Sequence, residues 1–193
     1  RQNFSRDEAE GRAVSIDSFL SMLDLKLCPI AIGKATIERA TQLIHRTNQF
    51  NLSLKRHPID VVKAYAGDEE VFSYCYEVSD RFGNNGIVGV LIAVPKNGGY
   101  TIDTWLLSCR VLGRTIEKAM FAHLLTWAHE RNAGLIKGNF RPGVKNQLVS
   151  GLYPSLGFTP VKTIDGERET LYVLTPLPPP DAGSFVDIIP EDK

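Results

Sequence analysis

Residues 71–131 carry the pattern that most constrains the fold. Three runs rich in apolar and β-branched residues, 71–79, 87–94 and 100–109, follow one another. Only two short turns separate them, Asp80-Arg81-Phe82-Gly83-Asn84-Asn85-Gly86 and Pro95-Lys96-Asn97-Gly98-Gly99. Asn-Gly at a strand junction is a strong hairpin signal, and parallel strands cannot be joined by so short a loop. The three runs therefore read as an antiparallel meander. A long amphipathic helix from Thr115 to about Arg131 follows at once and must cover one face of that sheet.

The flanking elements complete an α/β (α+β) pattern. A short helix is expected over 15–24, with Ser15 or Asp17 as N-cap. A strand-like run, 25–32, leads to Gly33, and a helix over 36–46 places Ile37, Ala40 and Ile44 on one face. It stops at the polar loop Thr47-Asn48-Gln49-Phe50-Asn51, and Pro58 opens a further short helix over 59–65. After the long helix come a strand at 135–139, a helix at 145–153, a strand at 158–164, a turn at Asp165-Gly166 and a strand at 170–175. The expected architecture is a mixed, mostly antiparallel central sheet flanked by helices. The expected division is a connector helix and lead-in over 1–33, one domain over 34–177, and a Pro-rich extended tail over 178–193. The start at Arg1 rather than Met fits a segment excised from a longer chain.

Composition narrows the function. The 22 basic and 22 acidic residues balance, and non-specific nucleic-acid binding needs a net basic surface. No apolar run reaches the roughly 20 residues of a membrane span, and the opening residues do not read as a basic, apolar, small-residue signal peptide. The three cysteines, Cys28, Cys75 and Cys109, are widely spaced. They form no metal-ligand signature, so no metal is expected. They suit free thiols in a reducing cytoplasm.

The stretch Thr104-Trp105-Leu106-Leu107-Ser108-Cys109-Arg110-Val111-Leu112-Gly113-Arg114 ends a strand in a thiol and continues into a turn with two arginines. A helix N-terminus after such a turn favours an anion and the thiolate form of a cysteine held there. Cys109 is thus the candidate nucleophile, although free cysteine is also a common core residue. Cys28 and Cys75 lie within strand-like runs and read as packing. Strand alternation puts Asp103, Trp105, Leu107 and Cys109 on one face. Asp103 would then lie roughly 20 Å from Cys109 and is not its partner. His123 shares a helix face with Ile116, Met120 and Trp127 and reads as a core histidine. His57 and His129 read as surface residues, and His45 suits a helix C-terminus near Asn48.

Two segments resemble the N-acetyltransferase (GNAT) family. Arg110-Val111-Leu112-Gly113-Arg114-Thr115 is similar to that family's pyrophosphate-binding turn, Gln/Arg-x-x-Gly-x-Gly/Ala, and departs from it at Thr115. Asn146, Tyr153 and Gly157-Phe158 are similar to its second segment, Asn…Tyr-x-x-x-Gly-Phe. Three further stretches resemble the C-terminal half of FkbH-like proteins: Thr47 to Asn51, Val78-Ser79-Asp80-Arg81-Phe82-Gly83, and Leu107 to Arg114. That resemblance runs from about residue 5 to about residue 175. FkbH-like proteins look like fusions of a haloacid-dehalogenase-type phosphatase with a GNAT-like domain, and they supply glyceryl units to polyketide assembly lines. No Asp-x-Asp occurs in this sequence, so the phosphatase half is expected to be missing.

The resemblance implies transfer of a glyceryl unit, derived from 1,3-bisphosphoglycerate, through a thioester on Cys109. The acceptor would be the phosphopantetheine thiol of an acyl carrier protein, with no cofactor bound by the domain itself. It implies that Tyr153 protonates a leaving thiolate. Asn48, Gln49 and Asn51 would hold hydroxyls or an acyl oxygen with their amides, although Asn also suits a helix stop. Asp80 and Arg81 would hold substrate or simply begin a hairpin turn. Backbone N–H groups near Gly113 would stabilise an oxyanion. Arg110, Arg114 and Asn146, with Arg141 and Lys145, would face the phosphopantetheine phosphate and the acidic partner. The rivals are an acetyl-coenzyme-A-dependent N-acetyltransferase, which would bind coenzyme A, and a non-catalytic carrier-protein docking module.

Overall fold

The computed structural model describes residues 15–164, 169–180 and 184–191. The expected connector helix in 1–12 and the turn at Asp165-Gly166 lie outside them.

Helix α1 (Ile16–Met22) is closed by a capping box in which Ser15 and Ser18 exchange side-chain to backbone hydrogen bonds. β1 (Leu25–Ala31), α2 (Ile37–Arg46) and α3 (Ile59–Ala66) follow, with a two-residue strand β2 (Phe50–Asn51) between the two helices. The meander is β3 (Phe72–Asp80), β4 (Gly83–Lys96) and β5 (Gly99–Leu107). Then come α4 (Ile116–Glu130), β6 (Ile136–Phe140), α5 (Leu152–Ser155), β7 (Thr159–Ile164), β8 (Glu169–Leu174) and β9 (Val186–Ile188). The strands form one sheet in the order β7-β8-β6-β5-β4-β3-β1-β9, with β2 set against β5. Among the described residues only β5–β6 and β1–β9 pair in parallel. The expected mixed, mostly antiparallel sheet flanked by helices is the fold observed.

Side chains alternate across the sheet. On one face Cys75, Val90, Ile92 and Leu106 pack against Ala40, Leu43 and Ile44 of α2 and Val62 of α3. On the other, Leu91, Trp105 and Leu107 pack against Ile116, Met120 and Leu124 of α4.

Several local expectations are corrected. The first hairpin turns at Arg81-Phe82, because Asp80 pairs with Gly83, and Asn85-Gly86 lies inside β4 beside register shifts. The second turn is Asn97-Gly98, both at positive φ, as a two-residue hairpin with Asn-Gly requires. The helix expected over 145–153 is broken into a 3-10 turn (Gln147–Val149) and α5, with Gly151 between them. β9, from the tail, adds a parallel strand to β1 and had no signature of its own.

The site depends on how β5 parts from β6. They pair only from Tyr100–Ile136 to Ile102–Gly138, and their later residues diverge. β2 fills the gap: Phe50 pairs with Leu107 and Asn51 with Leu106. Leu52 N–H then donates to the Trp105 carbonyl at 3.2 Å. Phe50 and Leu52 are 4% and 1% exposed, so each contributes about 1.5–3 kcal/mol of apolar burial to keeping this segment in place.

Candidate functional site

β5 ends at Leu107, and Ser108 N–H turns back to the Val88 carbonyl at 2.7 Å. Cys109 begins a 3-10 turn (Cys109–Val111) outside the ladder and is exposed. The alternation that put Asp103 and Cys109 on one face fails for a physical reason. Ala93 pairs with Ile102 and Ile92 with Thr104, so Asp103 is the extra residue of a β-bulge, and a bulge re-aims the side chains around it.

The Cys109 thiol opens on a cleft of about 380 Å³. Asn48 and Gln49 from the loop after α2 line it, as do Arg39 and Arg46 of α2 and Lys145. No carboxylate is among its lining residues. Arg39 donates from Nε and Nη2 to the Ile87 carbonyl at 3.2 and 3.0 Å, and from Nη1 to Gln42. Burial, and then the nearby Arg110, push its pKa down: cations crowd this corner. Arg39, Arg46 and Lys145 make no ion pair among the described residues, and three such cations beside a thiol attract anions. Arg39 and Arg46 were not expected from the motifs. Their spacing of seven residues, two helical turns on one face, was the available signal.

Most of the other expected residues lie outside the lining of this cleft. Asn51 and Asn146 are buried and hydrogen-bonded within the fold. Asn146 donates from Nδ2 to the carbonyls of Asn51 and Arg141, and its Oδ1 accepts from Gly143 N–H. Asn51 Oδ1 accepts from Leu54 N–H at 2.8 Å. Asn48 Oδ1 accepts from Arg56, which also donates to the Ile44 and Thr47 carbonyls at the end of α2. Asp80, its side chain fully buried, pairs with Arg114 at 3.2 Å and caps Phe82 N–H. Arg81 N–H donates to the Leu23 carbonyl, and its guanidinium to that of Met22. Arg110 and Arg141 are exposed. Tyr153 is 1% exposed, packed against Trp105, Phe158 and Tyr172 over Gly138. Burial raises its pKa, and its hydroxyl does not reach the Cys109 cleft lining. A Cβ on Gly138 would stand 2.3 Å from that ring, so only glycine fits there.

The turn that resembles a pyrophosphate site is partly occupied by the chain itself. Gly113 is left-handed at φ +75°, and so is Thr115 at φ 59°. The Thr115 carbonyl accepts from Ser184 Oγ at 3.1 Å, and its hydroxyl accepts from Phe185 N–H at 3.2 Å. Gly113 lines a separate hollow of about 240 Å³, with Leu112, Leu148, Leu152 and Glu117. Burial raises the pKa of Glu117. No Lys or Arg is among the lining residues of this hollow to meet an anion.

One cluster was missed. Asp103 Oδ2 accepts from His57 Nε2 at 2.6 Å and from Thr104 Oγ1 at 3.0 Å, while Oδ1 meets Lys55 Nζ at 2.5 Å. The Tyr65 hydroxyl also reaches it. Burial raises the Asp103 pKa, but the hydrogen bonds from His57 and Lys55 outweigh it and hold the group at about 2. His57, expected at the surface, is a buried-side partner with its side chain 17% exposed. His123 lies among Phe72, Tyr74 and Tyr76, as a core histidine should. Among the described residues no group of three His, Cys, Asp or Glu side chains is placed to hold a metal ion. Among them, too, no helix is long and apolar enough to cross a membrane.

No family model and no curated protein matches the chain. Solved structures do. The ribosomal-protein-S18-alanine N-acetyltransferase from Escherichia coli is 13% identical, with a TM-score of 0.59 over 78% of this chain and 94% of that one. An acetyltransferase of the GNAT family from Staphylococcus aureus Mu50 is 11% identical, with a TM-score of 0.58 over 77% and 98%. The spermidine N-acetyltransferase from Vibrio cholerae, in complex with CoA and spermine, is 13% identical, with a TM-score of 0.54 over 79% and 96%. The chain thus has the fold of the GNAT N-acetyltransferases.

Proposed function

We propose that this chain is an acyltransferase domain that carries its acyl group as a thioester on Cys109 and passes it to the phosphopantetheine thiol of an acyl carrier protein. The observation that supports it most is the exposed Cys109 thiol in a cleft whose charged lining residues are all cations. The resemblance of three segments to FkbH-like proteins supports a glyceryl unit from 1,3-bisphosphoglycerate as the acyl group.

In the first step the Cys109 thiolate attacks the carbonyl carbon of the acyl phosphate. A C–S bond forms, the C–O bond to phosphorus breaks, and inorganic phosphate leaves with the electron pair. Arg39, Arg46 and Lys145 hold the anionic donor and stabilise the departing phosphate. The side-chain amide of Gln49, in the same cleft, serves the acyl oxygen. In the second step the carrier-protein thiolate attacks the thioester, its new C–S bond forms, and the Cys109 thiolate is released and reprotonated by solvent. Removal of any further phosphate from the donor belongs to a phosphatase acting in trans.

A second reading, acetyl transfer from coenzyme A to an amine, has the fold likeness in its favour. The test is an assay with a glyceryl thioester donor and holo carrier protein, followed by intact mass of the carrier. Glyceryl mass on the carrier that depends on Cys109 is the expected result. Transfer that persists in Cys109→Ala would leave a docking role, and acetylation of an amine by acetyl-coenzyme A would favour the second reading.

A further inference from the structure

Where parallel strands part, their facing edges leave backbone N–H and C=O groups that need partners. An extended arm with amide groups, such as pantetheine, can take such an edge as an added strand does. In this chain the edge of β5 beyond Ile102 is already taken. Ser53 Oγ donates to the Asp103 carbonyl at 2.8 Å, Leu52 N–H to the Trp105 carbonyl, and Phe50 and Asn51 pair with Leu107 and Leu106. The far side is closed as well, since Arg141 N–H donates to the Leu52 carbonyl at 2.9 Å and Asn146 to that of Asn51.

The segment is also pinned from the side. Lys55 and His57, just beyond it, bind the Asp103 carboxylate at the bulge. Beneath it, Trp105 stacks on Phe121 and meets Tyr153, which packs on Phe158, so aromatic side chains fill the space between α4 and α5. The turn at the mouth is tied to Ser184 and Phe185 through Thr115, with Glu117 in the adjoining hollow.

We infer that residues 50–53 stand in for the extended arm of a coenzyme, so that this chain takes no acyl-coenzyme A between β5 and β6. A pantetheine thiol reaches it only through the cationic cleft on the α2 face. The inference rests on the occupied strand edge and holds whether or not Cys109 carries an acyl group.

The test combines calorimetry and amide hydrogen exchange on the wild-type chain with coenzyme A as the probe. The Leu52 amide should exchange as slowly as the amides of the β4–β5 ladder. Coenzyme A should show no saturable binding up to about 1 mM, or should protect only residues around the cleft, 39–49, and leave 50–54 and 102–107 unchanged. Fast exchange at Leu52, or micromolar binding that alters exchange at 50–54, 102–107 or 110–117, overturns the inference.

Discussion

Asn146 donates a hydrogen bond from Nδ2 to the carbonyl of Asn51 at 2.8 Å, joining two residues 95 positions apart. Both amides belong to motifs that resemble substrate or coenzyme contacts. In the fold the Asn146 amide holds the segment after β6 to the segment that fills the gap beside β5, and the Asn51 amide braces that second segment through Thr47 and Leu54. Asn146→Ala should therefore lower stability by about 1–3 kcal/mol, since it leaves the Asn51 carbonyl and Gly143 N–H without their buried partner. Asn51→Ala should also destabilise, through the Thr47 carbonyl and Leu54 N–H, and because alanine keeps the carbonyl that Asn146 binds, the two losses should add to within about 0.5 kcal/mol. Denaturant unfolding midpoints check this. A double variant that loses much less than the sum would contradict these separate partners.

The three thiols should separate by reactivity. Cys109 is exposed, whereas Cys75 is buried and its pKa is pushed up to about 12. The thiolate is the reacting form. A thiol reagent at pH 8 should label Cys109 first and Cys75 only on unfolding, as read by peptide mass mapping. Early labelling of Cys75 would contradict the packing described.

The cationic cleft should govern donor binding. Arg46→Glu places a carboxylate among Arg39 and Lys145, and a lost charge-assisted contact is worth about 1.5–3 kcal/mol. The KM for an acyl phosphate should rise roughly tenfold or more, and the wild-type KM should rise with salt. Lys63→Glu, on the exposed side of α3, should leave it unchanged. Equal effects from the two variants would remove the cleft from the account.

Stability should fall with acid in two separate stages. Burial lowers the His123 pKa from 6.5 to about 4 in the folded chain. The unfolded chain thus binds the extra proton first, and stability is lost as pH falls from about 6.5 towards 4. The loss should be on the order of 2 kcal/mol, allowing for partial solvent access. Asp103, held at about 2 against 3.8 unfolded, adds a second loss as pH falls below about 4. His123→Gln should remove the first stage alone, and Asp103→Asn the second. Thermal melts across pH 2–8 separate them.

The meander and the long helix were legible because apolar runs of strand length are separated by short turns and followed by an apolar-rich run free of Gly and Pro. The strands β2 and β9 were not. Each is two or three residues long and exists because a sheet edge needed partners. The bulge at Asp103 left no mark in the sequence, so its pairing with His57 and Lys55 was hidden. The cleft was half legible. Cys109, Asn48, Gln49 and Lys145 line it together, while Arg39 and Arg46 entered from a helix read only for its apolar face. Asp80 and Arg114 were singled out, and the fold pairs them with each other.

The most direct measurement is the intact mass of this chain after incubation with 1,3-bisphosphoglycerate or a glyceryl thioester, with peptide mapping of any adduct. A hydroxylamine-labile acyl adduct on Cys109, absent from Cys109→Ala and retained by Cys28→Ala and Cys75→Ala, is the predicted result. No adduct on the wild-type chain, or an adduct that survives Cys109→Ala, would contradict the account.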